Sequence, residues 1–412
     1  MKKNSIIPLL FASFLLVVTA CGTGSKVLND VMFEKDDYQK VVSANNELGF
    51  KLLGEVEGDE NDNTFISPTS LLMALSMVYN GADGETKEEI AKTLQLEGID
   101  VTDLNKANAS LGSILKKDSD EIQVDIANSI WLNENFHFQD DFAQNNKDYF
   151  HAEITEIDLS DKDSAKQIND WVKASTSDKI TEIVEAPLDD DLVTLLVNAI
   201  YFKGNWTNEF DKSHTEIRPF HLVDGTTKDV PLMTLYKELA YMENEKFQAV
   251  TLPYGDEEMN MKVFLPKENT SLTQFKESLT SENWAAWDEE FLSQEGTILL
   301  PKFQIEYETL LKETLGKLGM HAAFMEDADF TKMIKEDRPV FISEVKQKTF
   351  IDVNEEGTEA AAVTSIDMKT TSMPIETPFE MEVNRPFFIA ITDNETDTIL
   401  FMGSIGNPQQ EK

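Results

Sequence analysis

At 412 residues the chain exceeds any mini-protein and has room for two or three domains of about 150 residues, or for one unusually large one. Its 76 acidic against 36 basic side chains give a formal charge of −40, which excludes nucleic-acid phosphates and anionic headgroups as expected partners. A hydrophobic fraction of 41% with 25 Phe and 5 Trp is too apolar for a disordered acidic chain. The lone Cys21 excludes an intrachain disulfide or a cysteine zinc cluster, so stability must come from packing.

The chain opens Met1-Lys2-Lys3 and continues with an apolar run from Ile6 to Val18, the pattern of an export signal. No later stretch offers the ~20 apolar residues of a membrane-spanning helix. The run ends Val18-Thr19-Ala20-Cys21, which resembles the lipobox of bacterial lipoproteins, where cleavage before the Cys precedes acylation of its thiol and amine. The alternative is an ordinary signal peptide cut near Ala20. The resemblance implies a lipoprotein signal peptide over 1–20, lipidation at Cys21, and an exported protein held on a bacterial membrane through its lipid alone, facing the periplasm or the exterior. Residues 21–37, with Gly22-Thr23-Gly24-Ser25 at their start, are expected to form a flexible spacer.

From Tyr38 onward there is no Gly/Ser-rich or Pro-rich linker and no fixed-period repeat, so 38–408 reads as one domain. Val41, Val42, Leu48, Leu52 and Leu53 lie on one side of a helix, and Ser67-Pro68 supplies an N-cap and first-turn proline for a helix over 71–79. Helices are also predicted over 82–96 and 162–177, and strands over 122–126 and 192–202. Strands take over beyond residue 215. Early helices followed by a long β-rich remainder with few βαβ units predict an α+β fold with mainly antiparallel sheets.

Enzyme signatures are missing: there is no G-x-S-x-G elbow, no phosphate loop and no H-E-x-x-H helix. No two of His137, His151, His214, His221 and His321 have the helical spacing of metal ligands, and acidic runs such as Asp189-Asp190-Asp191 read as solvated surface. Lys106, Lys116 and Lys117 are too sparse for a polyanion site. No enzyme, metal or cofactor is therefore expected.

One segment carries a mechanism. From Thr358 to Lys369 the even positions are Thr358, Ala360, Ala362, Thr364, Ile366 and Met368, small or apolar, while the odd positions include Glu359, Ser365, Asp367 and Lys369. That is the period of a half-buried strand. Its small leading side chains could slide between two existing strands, with Gly357 as a hinge; a permanent Ala-rich strand or helix edge fits the same residues.

Glu355-Glu356-Gly357-Thr358-Glu359-Ala360-Ala361-Ala362 resembles the hinge of inhibitory serpins, serine protease inhibitors that trap their targets by loop insertion. Further stretches agree in that family's order: Phe65 to Leu71 (FISPTSL), Ile168 to Val172 (INDWV), Asn198 to Trp206 (NAIYFKGNW) and Leu300 to Phe303 (LPKF). They continue with Lys317 to Met320 (KLGM), Ile342 to Val345 (ISEV), Asn384 to Phe387 (NRPF) and Ile399 to Gly403 (ILFMG). The resemblance implies a serpin fold of three mainly antiparallel β-sheets with eight or nine helices and an exposed reactive loop. It further implies a monomer that acts as a suicide substrate. A serine protease, or a cysteine protease, attacks a loop bond, and the freed hinge inserts as a new strand and drags the acyl-enzyme away. The alternative within the family is a non-inhibitory binding or scaffold protein.

Aligned motifs place Ser67, Ser70 and Asn198 beneath the opening sheet and Trp206, Lys302 and Glu355 at its top. Many relatives carry His where this chain has Gln347, ten residues before Gly357; Gln still donates and accepts hydrogen bonds, without a titrating proton. Thr358 is expected to lie outside and solvated until the loop is cut. Counting from the hinge places the reactive bond after Thr371, and counting back from Asn384 places it after Ile375, so chemistry decides among candidates. Lys369 suits a trypsin-like pocket, Thr370 and Thr371 an elastase-like one, and Met368 a subtilisin-like one.

Overall fold

Ser67 takes extended backbone and its hydroxyl accepts the Ser70 amide, so the proline beside it opens a helix, Pro68–Tyr79. Every residue of this helix is buried, as an all-round apolar helix must be. It packs against the Gln39–Glu55 helix, which buries Val41, Ala44, Leu48, Leu52 and Leu53 and leaves Val42 half-buried at the flank of that stripe.

The computed structural model describes residues 26–28, 31–117, 119–189, 191–358 and 377–409. Among these residues nine α-helices and three β-sheets form the expected α+β fold. The six-stranded sheet runs in the order Phe303–Leu310, Glu344–Val353, Gly357–Thr358, Thr194–Asn205, Ile122–Asn133 and Glu153–Ile157. The nine-stranded sheet is organised around the 17-residue strand Thr227–Glu243, which pairs with Glu216–His221, Leu292–Pro301 and Phe247–Tyr254. The third sheet is a short pair, Lys26–Leu28 with Val31–Phe33. Pairing is mainly antiparallel; the exceptions among the described residues join Glu344–Val353 to Thr194–Asn205, Ile122–Asn133 to Glu153–Ile157, and Leu292–Pro301 to Phe379–Glu382.

The strand Ile122–Asn133 outgrows its predicted span of 122–126, and Thr194–Asn205 is shifted toward the C-terminus of the predicted 192–202; both faces are covered. On one face Leu196, Ile200 and Phe202 join the main core above the buried helix, and on the other Leu195, Val197, Ala199 and Tyr201 pack beneath the helix Ser164–Ser175. A strand buried on both sides reads as a continuous apolar run and loses the alternation that marks its ends.

The spacer expected to stay flexible through residue 37 is corrected at its C-terminal part. Phe33 is buried, and Lys35–Tyr38 forms a single 3-10 turn against the helix Val101–Leu115. The Ser110 hydroxyl donates to the Lys35 carbonyl at 2.6 Å and accepts the Tyr38 amide at 3.3 Å. Residues 34–37 are all charged, but the apolar Phe33 before them finds a burial site. Cys21 and the rest of 1–25 lie outside the described residues.

Candidate functional site

Glu344–Val353 and Thr194–Asn205 pair directly in parallel from Glu344 opposite Leu195 up to Phe350 opposite Tyr201. Above that row they part, and Gly357–Thr358 stands between them, antiparallel to both. Thr358 lies opposite Val353 on one side and Gly204 on the other, with Gly357 opposite Asn205. The chain reverses within three residues because Asn354 closes the turn: its amide donates to the Gly357 carbonyl at 2.9 Å, and its side chain accepts the Glu356 amide at 3.0 Å. Gly357 has φ of +151°, and a Cβ there would lie 2.2 Å from the Gly204 carbonyl oxygen, so only glycine fits this approach.

Thr358 is fully buried, with its hydroxyl 2.8 Å from that of Tyr254. The expectation that it lies outside and solvated is therefore corrected: the tight turn at Asn354 returns the chain into the sheet at Gly357–Thr358. Glu359, Ala360, Ala361 and Ala362, together with Met368, Lys369, Thr370 and Thr371, lie outside the described residues.

Trp206, Lys302 and Glu355 meet around this turn. The Trp206 indole N–H donates to the Asn354 carbonyl at 2.9 Å, and its amide donates to the Glu356 carbonyl at 3.0 Å. Its ring stacks on Tyr254 with centroids 4.2 Å apart. The buried Glu355 carboxylate pairs with Lys302 at 2.8 Å and accepts the Thr215 hydroxyl at 2.8 Å, while Lys212 pairs with Glu356. Burial alone would push the Glu355 carboxyl up, but the hydrogen bonds from Lys302 and Thr215 outweigh it and hold the carboxyl below its ordinary range. The bond to Glu356 raises Lys212 in turn. Sequence reasoning missed Lys212, Thr215 and Tyr254. Two adjacent buried carboxylates in an acid-rich chain require two cations, which was a usable signal for Lys212; Tyr254 ends an ordinary strand and offered none.

A second cluster lies lower, where Asn128, Asn198 and Gln347 stand opposite one another on three adjacent strands, over the N-terminus of the buried helix. Gln347 donates to the Ser67 carbonyl at 2.9 Å and to the Asn198 side-chain oxygen at 2.6 Å, and it accepts the Ser67 amide at 3.0 Å. Asn198 donates to Asn128 at 2.5 Å and to the Ser70 hydroxyl. All five side chains are buried. The structure thus joins Ser67, Ser70, Asn198 and Gln347 in one network that crosses the line where the two central strands meet.

The six-stranded sheet thus holds the short Gly357–Thr358 strand between two strands that bond directly below it, with a polar row across their junction. Residues 43–408 match the family model described as Serpin (serine protease inhibitor), and the chain belongs to the serpin family. It is 33% identical over 372 residues to Iripin-2 of Ixodes ricinus, covering 89% of this chain and 93% of that protein. It is 32% identical over 363 residues to the Leukocyte elastase inhibitor of Equus caballus, covering 85% and 95%. The crystal structure of the thermophilic serpin Tengpin in the native state superposes with a TM-score of 0.83 at 34% identity, covering 89% of this chain and 94% of that one. Serpins are in general protease inhibitors rather than catalysts.

Asn198→Ala removes the central member of the polar row and strands Gln347, Asn128 and Ser70 without it. Urea unfolding is expected to show a loss of about 2–3 kcal/mol, the cost of leaving buried amides unpaired. For Glu355 the folded pKa lies below the ordinary value, so its contribution is present above that value and is lost as pH falls through the depressed one. Wild-type stability should therefore drop more steeply than that of Glu355→Gln as pH falls from the ordinary carboxyl range through the depressed folded value, in urea titrations at each pH.

Proposed function

We propose that the protein is a membrane-tethered suicide-substrate inhibitor of serine proteases, and of cysteine proteases where they cut the same loop. The observation that carries this reading is the register of Thr358. Continued downward in an inserted strand, that register would set Ala360 between Phe202 and Ile351, Ala362 between Ile200 and Thr349, and Thr364 between Asn198 and Gln347. The two sides agree because the flanking strands already hold the matching parallel register with each other. Even positions then face the main core, where Ala360 and Ala362 meet little obstruction, and Thr364 brings a hydroxyl to the polar row. Ala361 and Val363 fall on the other face, beneath the helix Ser164–Ser175, which accounts for apolar residues at odd positions.

In this mechanism the protease serine attacks a loop carbonyl, the amine side leaves, and an ester links the enzyme to the hinge side of the loop. Insertion replaces the direct pairing of the two central strands with two new interfaces. At ~3.3 Å per residue, ~14 inserted residues carry the enzyme on the order of 45 Å. The native state is then kinetically held above a more stable inserted one. Lys369 leads the candidate bonds and favours trypsin-like targets, with Met368, Thr370 and Thr371 open to subtilisin-like and elastase-like enzymes. The name of the equine relative supports the elastase-like class. Cys21, with Val18-Thr19-Ala20 before it, supports acylation and tethering of the exported, monomeric domain.

Incubation with trypsin, an elastase and subtilisin, followed by denaturing electrophoresis and mass spectrometry, tests the reading. Wild type is expected to form a denaturant-stable complex, cut within 368–372. Ala362→Glu would bury a carboxylate without a cation on insertion, at a cost of several kcal/mol, and should be cut at the same bond yet release active protease about 100-fold more often. Cleavage of wild type without any complex would favour the non-inhibitory alternative.

For the tether, Cys21→Ala should move the protein from the membrane fraction to the soluble one or block its maturation. An unchanged membrane fraction, with no acyl mass on wild-type Cys21, would refute the anchor.

A further inference from the structure

Tyr254 ends the strand Phe247–Tyr254 of the nine-stranded sheet, whereas Thr358 belongs to the segment entering the six-stranded one. Their hydroxyl oxygens are 2.8 Å apart, and neither side chain has measurable exposure. The Tyr254 ring is fixed independently of that contact. It stacks on Trp206 at 4.2 Å and meets Phe202 edge-on at 5.2 Å. Its backbone is tied to the end of the Thr194–Asn205 strand, where Gly255 donates to the Asn205 carbonyl and Thr207 to that of Pro253, each at 2.9 Å. A phenylalanine would keep all of this packing. Burial also pushes the phenol's proton loss far up, so the hydroxyl stays neutral and keeps a proton to share. Among the described residues its partner is Thr358.

We propose that Tyr254 is a positioning residue for trapping: its hydroxyl holds Thr358 in the sheet before cleavage, so that the inserting strand grows from a first row already in register. This inference rests on the inhibitory reading given above. Holding the hinge down has two opposed consequences. It shortens the length of loop free to meet a protease, which slows encounter. After cleavage it removes the need to find the register, so that opening of the Phe350 and Tyr201 row competes better with hydrolysis of the acyl-enzyme. Loss of the hydroxyl should therefore quicken association and lower the trapped fraction. General destabilisation of the fold does not produce that opposed pair.

The test uses the full chain as wild type, Tyr254→Phe, Thr358→Val, which keeps the branched shape without the hydroxyl, and the double variant. The readouts are the association rate with trypsin, the fraction of trypsin released active, hydrogen exchange over 354–358, and the urea midpoint. Each single variant is expected to release active trypsin on the order of two- to tenfold more often, the range one net hydrogen bond supplies. Association should quicken, amide protection over 354–358 should fall, and the midpoint should stay near wild type. The double variant should match either single one, because both remove the same bond. Unchanged protection, an unchanged released fraction, or additive effects would overturn the proposal. If wild type forms no covalent complex with trypsin, elastase or subtilisin, the inhibitory reading fails instead. Hydrogen exchange then decides whether the hydroxyl holds the hinge: protection lost in both single variants sustains it, and protection retained overturns it.

Discussion

Two neighbouring strands can bond to each other or to a third strand between them, but not to both at the same rows. Everything around the candidate site follows from how Thr194–Asn205 and Glu344–Val353 divide their length between these options. Over most of it they bond directly and in parallel. At the top they bond to Gly357–Thr358, which is antiparallel to each. In the insertion proposed above, a parallel pair, slightly less stable per residue, would give way to two antiparallel interfaces.

Such a junction needs polar groups that keep it closed without sealing it. Asn128, Asn198 and Gln347 provide this, because a row of side-chain amides satisfies its donors and acceptors across the seam and beneath it at Ser67 and Ser70. Apolar side chains in the same places would close the seam without any directional requirement. Amides demand partners, and a hydroxyl arriving between them offers some in exchange. At the top the same role falls to charge. Glu355 and Glu356 are buried in a chain with an excess of acids, and Lys302 and Lys212 compensate them. Removing Lys212 would leave the Glu356 carboxylate facing the carboxyl of Glu209, already raised by burial and by Glu356.

Local chemistry made much of this legible from sequence. The Ser67-Pro68 pair announces its helix because capping is a one-turn interaction, and the stripe from Val41 to Leu53 announces another through its period. The meeting of Trp206, Lys302 and Glu355 was reachable through motifs that resemble a known family, not through period or spacing, since three distant segments supply them. What stayed hidden depends on tertiary context. Phe33 is followed by four charged residues, Glu34 to Asp37, and the Gly/Ser-containing start at Gly22 suggested a spacer where one buried ring precedes an ordered turn. Tyr254 is one aromatic residue among many in strands, and its hydroxyl acquires meaning only when another sheet brings Thr358 to it.

Thr358 shows why the alternation beginning there was readable while its native position was not. A period of two records which face a strand will present once it is paired, and it is silent on when pairing occurs. The timing is set by the turn before it: the Asn354 side chain caps the Glu356 amide, Gly357 takes a conformation closed to other residues, and Glu355 is fixed by Lys302 and Thr215. With those four residues held, the next side chain has little choice but to enter the sheet, and threonine suits a place that is buried yet faces one hydroxyl. The hinge is thus restrained from its N-terminal side by charge and turn geometry and from its C-terminal side by one neutral hydrogen bond. Of the two restraints, the neutral one resists neither salt nor acid differently from the fold as a whole, whereas the charged one does. Salt or acid therefore acts on the turn through the Glu355–Lys302 pair before it acts on the register at Thr358.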